Sequence, residues 1–334
     1  MVSSDFDLSL LSKYRTQLMG LAAIMIVLCH IASYVDTMPN LCVRIISYGG
    51  MGVDIFLFLS GLGCYYSLSQ GVRLKSWYKK RFIRIFIPYF FIQIPFWLYR
   101  LFIEKFNLFH ELSVFSTIEF WTQHKGAWYV ALLLPLYLLA PALYFLLKEK
   151  ERRLVSAILL ILFLLIICHL KISYGSGAFY TILNNMQWAF IRIISFIVGM
   201  SIAPYVKDNV KINVFVVFAI SVCLYVAIHV LIDKNIFIWW CMIWPLMIIF
   251  ILFLQRFSIE NNIFRFVSWM GAVSLESYLA NIYLCEVFKK TSIYFYTTSI
   301  LINHQYIEYF LIIVLGLLLS FIVHGFSIKI IRRI

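Results

Sequence analysis

Charge is scarce in this chain. Only 13% of its 334 residues are Asp, Glu, Lys or Arg, and just 15 are acidic. A soluble domain carries about 25% charged and about 45–50% apolar residues. Here 63% are hydrophobic and mean hydropathy is +0.92. That leaves too little polar surface to cover a water-exposed globule, which excludes a soluble fold. Glycine (14) and proline (7) are also sparse. No linker, low-complexity stretch or fixed-period repeat stands out, so residues 1–334 read as a single domain. The seven cysteines include no CxxC pair and no Cys/His ligand spacing, which leaves a metal site without support. No glycine-rich phosphate loop or Walker-like pattern is present, which argues against a P-loop nucleotidase. The polar segment Met1 to Arg15, with Asp5 and Asp7, lacks the basic start and short apolar core of a cleaved leader. The first apolar run is therefore expected to be a retained helix.

What the chain has instead is a series of apolar runs, near 16–36, 46–67, 83–103, 127–147, 154–170, 187–206, 212–232, 236–255, 265–288 and 306–328. A hydrocarbon core of about 30 Å needs about 20 helical residues. Barrel strands would be about half that length and would alternate apolar with polar residues. The expected fold is all-α: a polytopic integral membrane bundle of about ten transmembrane helices. The formal charge of +13 does not imply nucleic acid, because the basic residues lie between apolar runs and not on one clustered face. They read as topology signals and contacts to anionic lipid headgroups. With both termini inside, 19 of the 28 Lys and Arg residues fall on the inner side, which predicts an N-in/C-in arrangement with residues 1–15 as a cytoplasmic segment. The longest outer connection, Glu104 to Gly126, carries three glutamates, two histidines and aromatic residues; it reads as a connector or a surface lid.

Ionisable groups inside lipid are costly and face a cavity or a partner. The candidates are His30, Asp54, Arg192, Glu276 and Glu286. At about 1.5 Å rise per residue, His30 lies about 20 Å from the inner boundary and Asp54 about 12 Å below the outer one. Arg192 lies about 8 Å below the outer boundary by the same rise, and Glu276 falls near mid-membrane. The imidazole of His30 suits either general acid–base work near neutral pH or a packed ring bonded to a backbone carbonyl. Asp54 can orient such a ring or sit as a helix-end carboxylate. Arg192 can pair with Asp54 or a glutamate, hold an oxyanion, or snorkel. Glu276 reads as an orienting carboxylate or as a neutral buried acid.

Lys79-Lys80-Arg81-Phe82-Ile83-Arg84 opens the third run on the inner side. It serves as a positive-inside anchor, or Arg81 and Arg84, three residues apart on one helical face, grip phosphates. Trp128-Tyr129 opens the fourth run as interfacial aromatics or as a platform for a sugar ring.

Taken together and in order, these segments resemble the acyltransferase-3 family of membrane O-acyltransferases. The resemblance rests on the first run ending in His30, on Gly52-Val53-Asp54-Ile55-Phe56-Leu57-Phe58-Leu59-Ser60-Gly61, and on the basic run that ends Ile87-Pro88-Tyr89. It also rests on Trp128-Tyr129, on Arg192 ahead of Gly199, and on Ser274-Leu275-Glu276 ahead of Tyr278-Leu279. It covers nearly the whole chain. It implies ten helices and transfer of an acyl group, usually acetyl, from cytoplasmic acetyl-CoA to a hydroxyl of a cell-surface polysaccharide or its lipid-linked precursor. The setting it implies is the bacterial cytoplasmic membrane. His30 corresponds to the family's essential histidine, and Arg81 and Arg84 to its basic motif. Two positions depart from the pattern. Many members carry an arginine eleven residues before the histidine, where this chain has Met19 and the nearest arginine is Arg15, one turn earlier. Many have a histidine late in the ninth run, where this chain has Asn281.

The resulting expectation places acyl-CoA at Arg81, Arg84 and Arg15, with a sugar or glycolipid acceptor near Trp128 and Tyr129. His30, Asp54, Arg192 and Glu276 form the catalytic set. A transporter or flippase with a buried proton path is the second reading of the same charges, and a non-catalytic protein on this fold is the third. Oligomeric state is left open, a homo-oligomer included.

Overall fold

The computed structural model describes residues 5–36, 38–105, 107–169, 177–231, 239–295 and 301–333, with side chains described except at 169, 231, 290–295 and 301–304. Helix accounts for 85% of it. In chain order the elements are β1 (Asp5–Asp7), α1 (Ser9–Lys13), α2 (Arg15–Tyr34), α3 (Asn40–Ser47), α4 (Met51–Ser69), α5 (Leu74–Phe102), α6 (Leu108–Phe115), α7 (Ile118–Gln123) and α8 (Trp128–Leu147). They continue with α9 (Lys150–His169), α10 (Ala178–Phe190), α11 (Ile193–Lys207), β2 (Lys211–Asn213), α12 (Val214–Leu231), α13 (Trp239–Leu254), α14 (Asn262–Ala272), α15 (Ser274–Phe295) and α16 (Leu301–Ile331).

Six helical stretches among the described residues are long and apolar enough to cross a membrane: Arg15–Tyr34, Asn40–Ser69, Leu74–Phe102, Trp128–Leu147, Ala178–Lys207 and Gln305–Ile331. The chain is thus a multi-pass, all-α membrane protein. Among the described residues the apolar runs fall on helix apart from residues at run ends and 212–213 in β2; the second passes from α3 through a tight turn into α4, and the sixth and ninth are broken. The sixth breaks at Ile191 and Arg192, between α10 and α11, and the ninth breaks at Val273, between α14 and α15. Apolar periodicity reports burial and is blind to such breaks, because an apolar residue suits a helix end as well as its middle. The boundaries expected at 170, 232 and 236 lie outside the described residues.

The Glu104–Gly126 connection contains α6 and α7, with Thr117 and His124 in left-handed backbone conformation at the two ends of α7. The N-terminal segment is likewise more ordered than its polar composition suggests. β1 pairs antiparallel with β2 in the register Asp5↔Asn213, Phe6↔Ile212, Asp7↔Lys211, tying the start of the chain to the α11–α12 connection. Asp7 accepts the Ser9 backbone N–H at 2.8 Å, and the Ser9 hydroxyl together with that N–H holds its carboxyl below the usual range.

α4 is the centre of the bundle. From Gly52 to Leu62 every residue is buried, as expected of a helix apolar on all sides. It lies between α2 and α11, and glycines set the approach to α11. A Cβ on Gly61 would meet the Phe196 carbonyl oxygen at 2.1 Å, and one on Gly199 would meet that of Phe58 at 2.0 Å. The two backbones touch through reciprocal gaps, the small-residue packing expected where lipid tails supply no hydrophobic drive between helices. Substituting Gly199→Ala should lower stability by about 1–3 kcal/mol, the cost of overpacking a close contact. Thermal unfolding in detergent will read it; a variant as stable as the parent would show that α4 and α11 can separate freely.

Candidate functional site

His30 stands one turn before the end of α2, half-buried, with α15 and α16 beside it. Its Nδ1 lies 2.5 Å from Asn281 Oδ1, and its ring centre is 6.5 Å from that of Tyr278. One turn earlier the Val27 carbonyl accepts the Tyr309 hydroxyl from α16. α2 therefore presents its imidazole into the angle between α15 and α16. The position of Asn281, marked in the sequence as a departure from a pattern, turns out to be the partner of the imidazole.

Asp54 and Arg192 form a separate, buried pair, 2.7 Å apart. Ser195 donates to the second carboxylate oxygen at 3.0 Å, and Arg192 also donates to the Gly50 carbonyl at 3.3 Å. The rings of Trp128, Trp188 and Trp239 each lie 5.2 Å from the guanidinium carbon. Three indole faces and one carboxylate together replace the water that the cation gave up. The helix break at Ile191 and Arg192 lets the arginine turn inward to meet α4. The structure thus brings Asp54 to Arg192 and not to His30. Arg192 remains within electrostatic reach of Tyr278 and Cys29, both neighbours of His30.

Trp128 is one wall of this cage. Tyr129 packs inward against Phe56 and Tyr278, with ring centres 5.9 and 5.7 Å away, and its backbone N–H donates to the Tyr278 hydroxyl at 3.2 Å. Tyr129 and Tyr137 both interact with Ser60 on α4, and both lie within electrostatic reach of Arg15. Polar groups therefore run through the apolar interior from Arg15 through Tyr137, Ser60, Tyr129 and Tyr278 to His30. Along α2 the separation from Arg15 to His30 is fifteen residues, about 22 Å.

The arginines divide their work. Arg81 donates to the Gly63 carbonyl at 2.9 Å and to Ser67 Oγ at 2.8 Å, under the rings of Trp77 and Tyr137. Arg15 donates to the Leu59 carbonyl at 3.3 Å and lies across Gly63. Both are held against the second half of α4. Arg84 instead lines a cavity of about 410 Å³ together with Ser274, Glu276, His324, Ser327 and Arg332. Glu276 Oε1 is 2.9 Å from His324 Nδ1, so this glutamate also has a partner other than His30. Ser327 Oγ is buried there without a hydrogen-bond partner among the described residues. His324 and Ser327 carry no signal in the sequence beyond lying in the last apolar run; only the packing of α16 on α5 and α15 shows their role. No group of three or more His, Cys, Asp or Glu that could hold a metal occurs among the described residues.

Breaking the buried pair from one side should be severe. Asp54→Ala leaves a dehydrated guanidinium and should cost about 3–5 kcal/mol. The double variant Asp54→Ala with Arg192→Leu should be less destabilised than Asp54→Ala alone. Melting temperatures of the three purified proteins test this, and a double variant worse than the single one would contradict a pairwise role.

The family model for an acyltransferase domain, acyltransferase 3, matches residues 17–325, nearly the whole chain. No curated protein and no solved structure matches it. The matched region contains the imidazole and its amide partner, the caged ion pair and the Arg84 side of the cavity, and by that match the chain belongs to the acyltransferase 3 family of membrane proteins.

Proposed function

We propose that this protein is a membrane O-acyltransferase that moves an acyl group, acetyl in the simplest case, from acyl-CoA to a hydroxyl of a surface polysaccharide or its lipid-linked precursor. The observation that carries the reading is an imidazole inside a membrane bundle, joined by a line of polar groups to a basic end. Nε2 of His30 makes no hydrogen bond among the described residues, so it is available to an incoming hydroxyl.

The basic end, with Arg15, Arg81 and Arg84, is the cytoplasmic end, in keeping with ten crossings and both termini inside. The setting is a bacterial inner membrane. Acyl-CoA is the donor substrate, and its phosphates sit at the Arg84 and Arg332 cavity. Two guanidinium groups and a buried hydroxyl with no hydrogen-bond partner among the described residues suit a phosphate-bearing ligand. The slender pantetheine arm follows the polar line past Tyr137 and Ser60 towards His30. The acceptor comes from the opposite face, past Tyr129 and Trp128.

His30 Nε2 takes the proton of the acceptor hydroxyl as its oxygen attacks the thioester carbonyl. The tetrahedral intermediate collapses, the carbon–sulfur bond breaks, and the imidazolium returns its proton to the departing thiolate. The products are an O-acyl ester and free CoA. The Asp54–Arg192 pair serves this reaction by anchoring the wall formed by Trp128 and Tyr129, and Glu276 by fixing His324 at the donor cavity.

Purified protein in detergent, given radiolabelled acetyl-CoA and a glycan acceptor, should yield labelled glycan. A transporter or flippase working by the same buried charges needs a sealed membrane and would give none. His30→Ala should lower the rate by about 10²–10⁴-fold, the worth of a general base, with the protein still present in the membrane. Unchanged acetylation in that variant would rule out the assigned base. Arg84→Ala should raise KM for acyl-CoA with little change in kcat, the pattern for loss of binding made equally in ground and transition states.

A further inference from the structure

We infer that Asn281 is a positioning residue for His30: its side-chain oxygen holds the Nδ1–H of the imidazole and leaves Nε2 as the basic nitrogen. Asn281 is 2% exposed on α15, and its Oδ1 faces Nδ1 at 2.5 Å. An amide oxygen has no proton to give, so the hydrogen in this contact belongs to the ring. A neutral imidazole carries one N–H, and spending it on Asn281 leaves a lone pair on Nε2.

The opposite orientation of the amide would reverse this assignment, and Tyr309 decides between the two. The Tyr309 hydroxyl commits its proton to the Val27 carbonyl and also interacts with the Asn281 side chain. What it can offer Asn281 is therefore an oxygen lone pair. The amide edge facing Tyr309 must be the N–H donor, and the edge facing His30 must be the oxygen. Nδ2 itself makes no hydrogen bond among the described residues, so its contact with Tyr309 is a looser electrostatic one. The chain Val27 carbonyl, Tyr309, Asn281, His30 thus carries orientation from the α2 backbone through α16 and α15 back to the ring on α2.

The arrangement does the work of a carboxylate–histidine pair with a neutral group. Asn281 and Tyr278 from α15 face the ring, Tyr309 from α16 meets the α2 backbone one turn away, and no charged side chain among the described residues acts on the imidazole. Further out on those helices, Lys289 donates to the Ser33 carbonyl, Glu308 accepts from Tyr34, and Glu286 pairs with Arg100 of α5. A carboxylate at 281 would favour the imidazolium and remove base at neutral pH. An apolar residue would free the ring to turn and to carry its proton on either nitrogen.

The inference deepens the proposed reaction, and the test has one arm that does not depend on it. Full-length protein in detergent is treated with diethyl pyrocarbonate, which reacts with an imidazole only in its neutral form, and labelling of His30 itself is followed by mass spectrometry across pH. Asn281→Asp should move the labelling midpoint upward by about one pH unit, a tenfold gain in proton affinity. Asn281→Leu should move it downward, because the imidazolium loses its acceptor. In the second arm, the acid limb of the kcat profile for acetyl transfer should move upward with Asn281→Asp. Asn281→Leu should lose about tenfold or more in kcat with KM for acetyl-CoA unchanged, since only orientation at the reacting atoms is lost. If Asn281→Leu fails to accumulate, the near-isosteric Asp variant decides alone. Labelling midpoints that coincide with the parent's would overturn the inference. Shifted midpoints in a protein that transfers no acetyl would uphold the coupling of Asn281 to His30 and reject the reaction proposed above.

Discussion

Taking Asp54 and Arg192 out of water costs several kcal/mol per ion, and attraction repays that only when geometry and further hydrogen bonds are good. The structure meets this demand with a carboxylate, a carbonyl and the indole rings of Trp128, Trp188 and Trp239 on the guanidinium, and with a serine hydroxyl on the carboxylate. These partners come from α4, the turn before it, α8, α10, α11 and α13. A cage of this kind can be satisfied in only one arrangement of those helices. Apolar packing in lipid discriminates poorly among helix arrangements, since a leucine facing lipid loses little. The ion pair and the glycine contacts between α4 and α11 supply the discrimination that apolar surface lacks.

Around that fixed centre the polar residues are segregated by task. Arg15 and Arg81 are spent on α4, donating to the carbonyls of Leu59 and Gly63 in its second half. Arg84 is left to face a cavity. Tyr137, Ser60, Tyr129 and Tyr278 carry hydroxyls through the core without carrying charge, which a low-dielectric interior tolerates far better. At the end of that line stands one imidazole whose partner is a neutral amide. The base proposed for the reaction must be uncharged to act, and the amide and phenol beside it carry no charge.

Much of this was legible in the residues. A charged fraction of 13% and long apolar runs are enough to require helices in lipid, because no other structure satisfies backbone N–H and C=O groups there apart from a closed barrel. The same reasoning singled out His30, Asp54, Arg192 and Glu276, since an ionisable group in such a run needs a reason to be there. Their partners were another matter. Asp54 lies with Arg192, Glu276 with His324 and His30 with Asn281, at sequence separations of 138, 48 and 251 residues. No local pattern encodes contacts so distant. Trp128 similarly read as an interfacial aromatic or a sugar platform, whereas it packs on a cation brought by another helix.

Composition and run length by themselves determined that this chain is a helical membrane protein and which few side chains have to be explained. They could do so because transfer of charge and backbone into hydrocarbon is penalised residue by residue, whatever the neighbours are. The pairing of those side chains, the breaks at Arg192 and Val273, and the choice of Asn281 over a carboxylate as the partner of His30 were decided only by tertiary structure. The physical reason is that a hydrogen bond has a range of about 3 Å, so its existence depends on how helices cross in space and not on where residues fall along the chain.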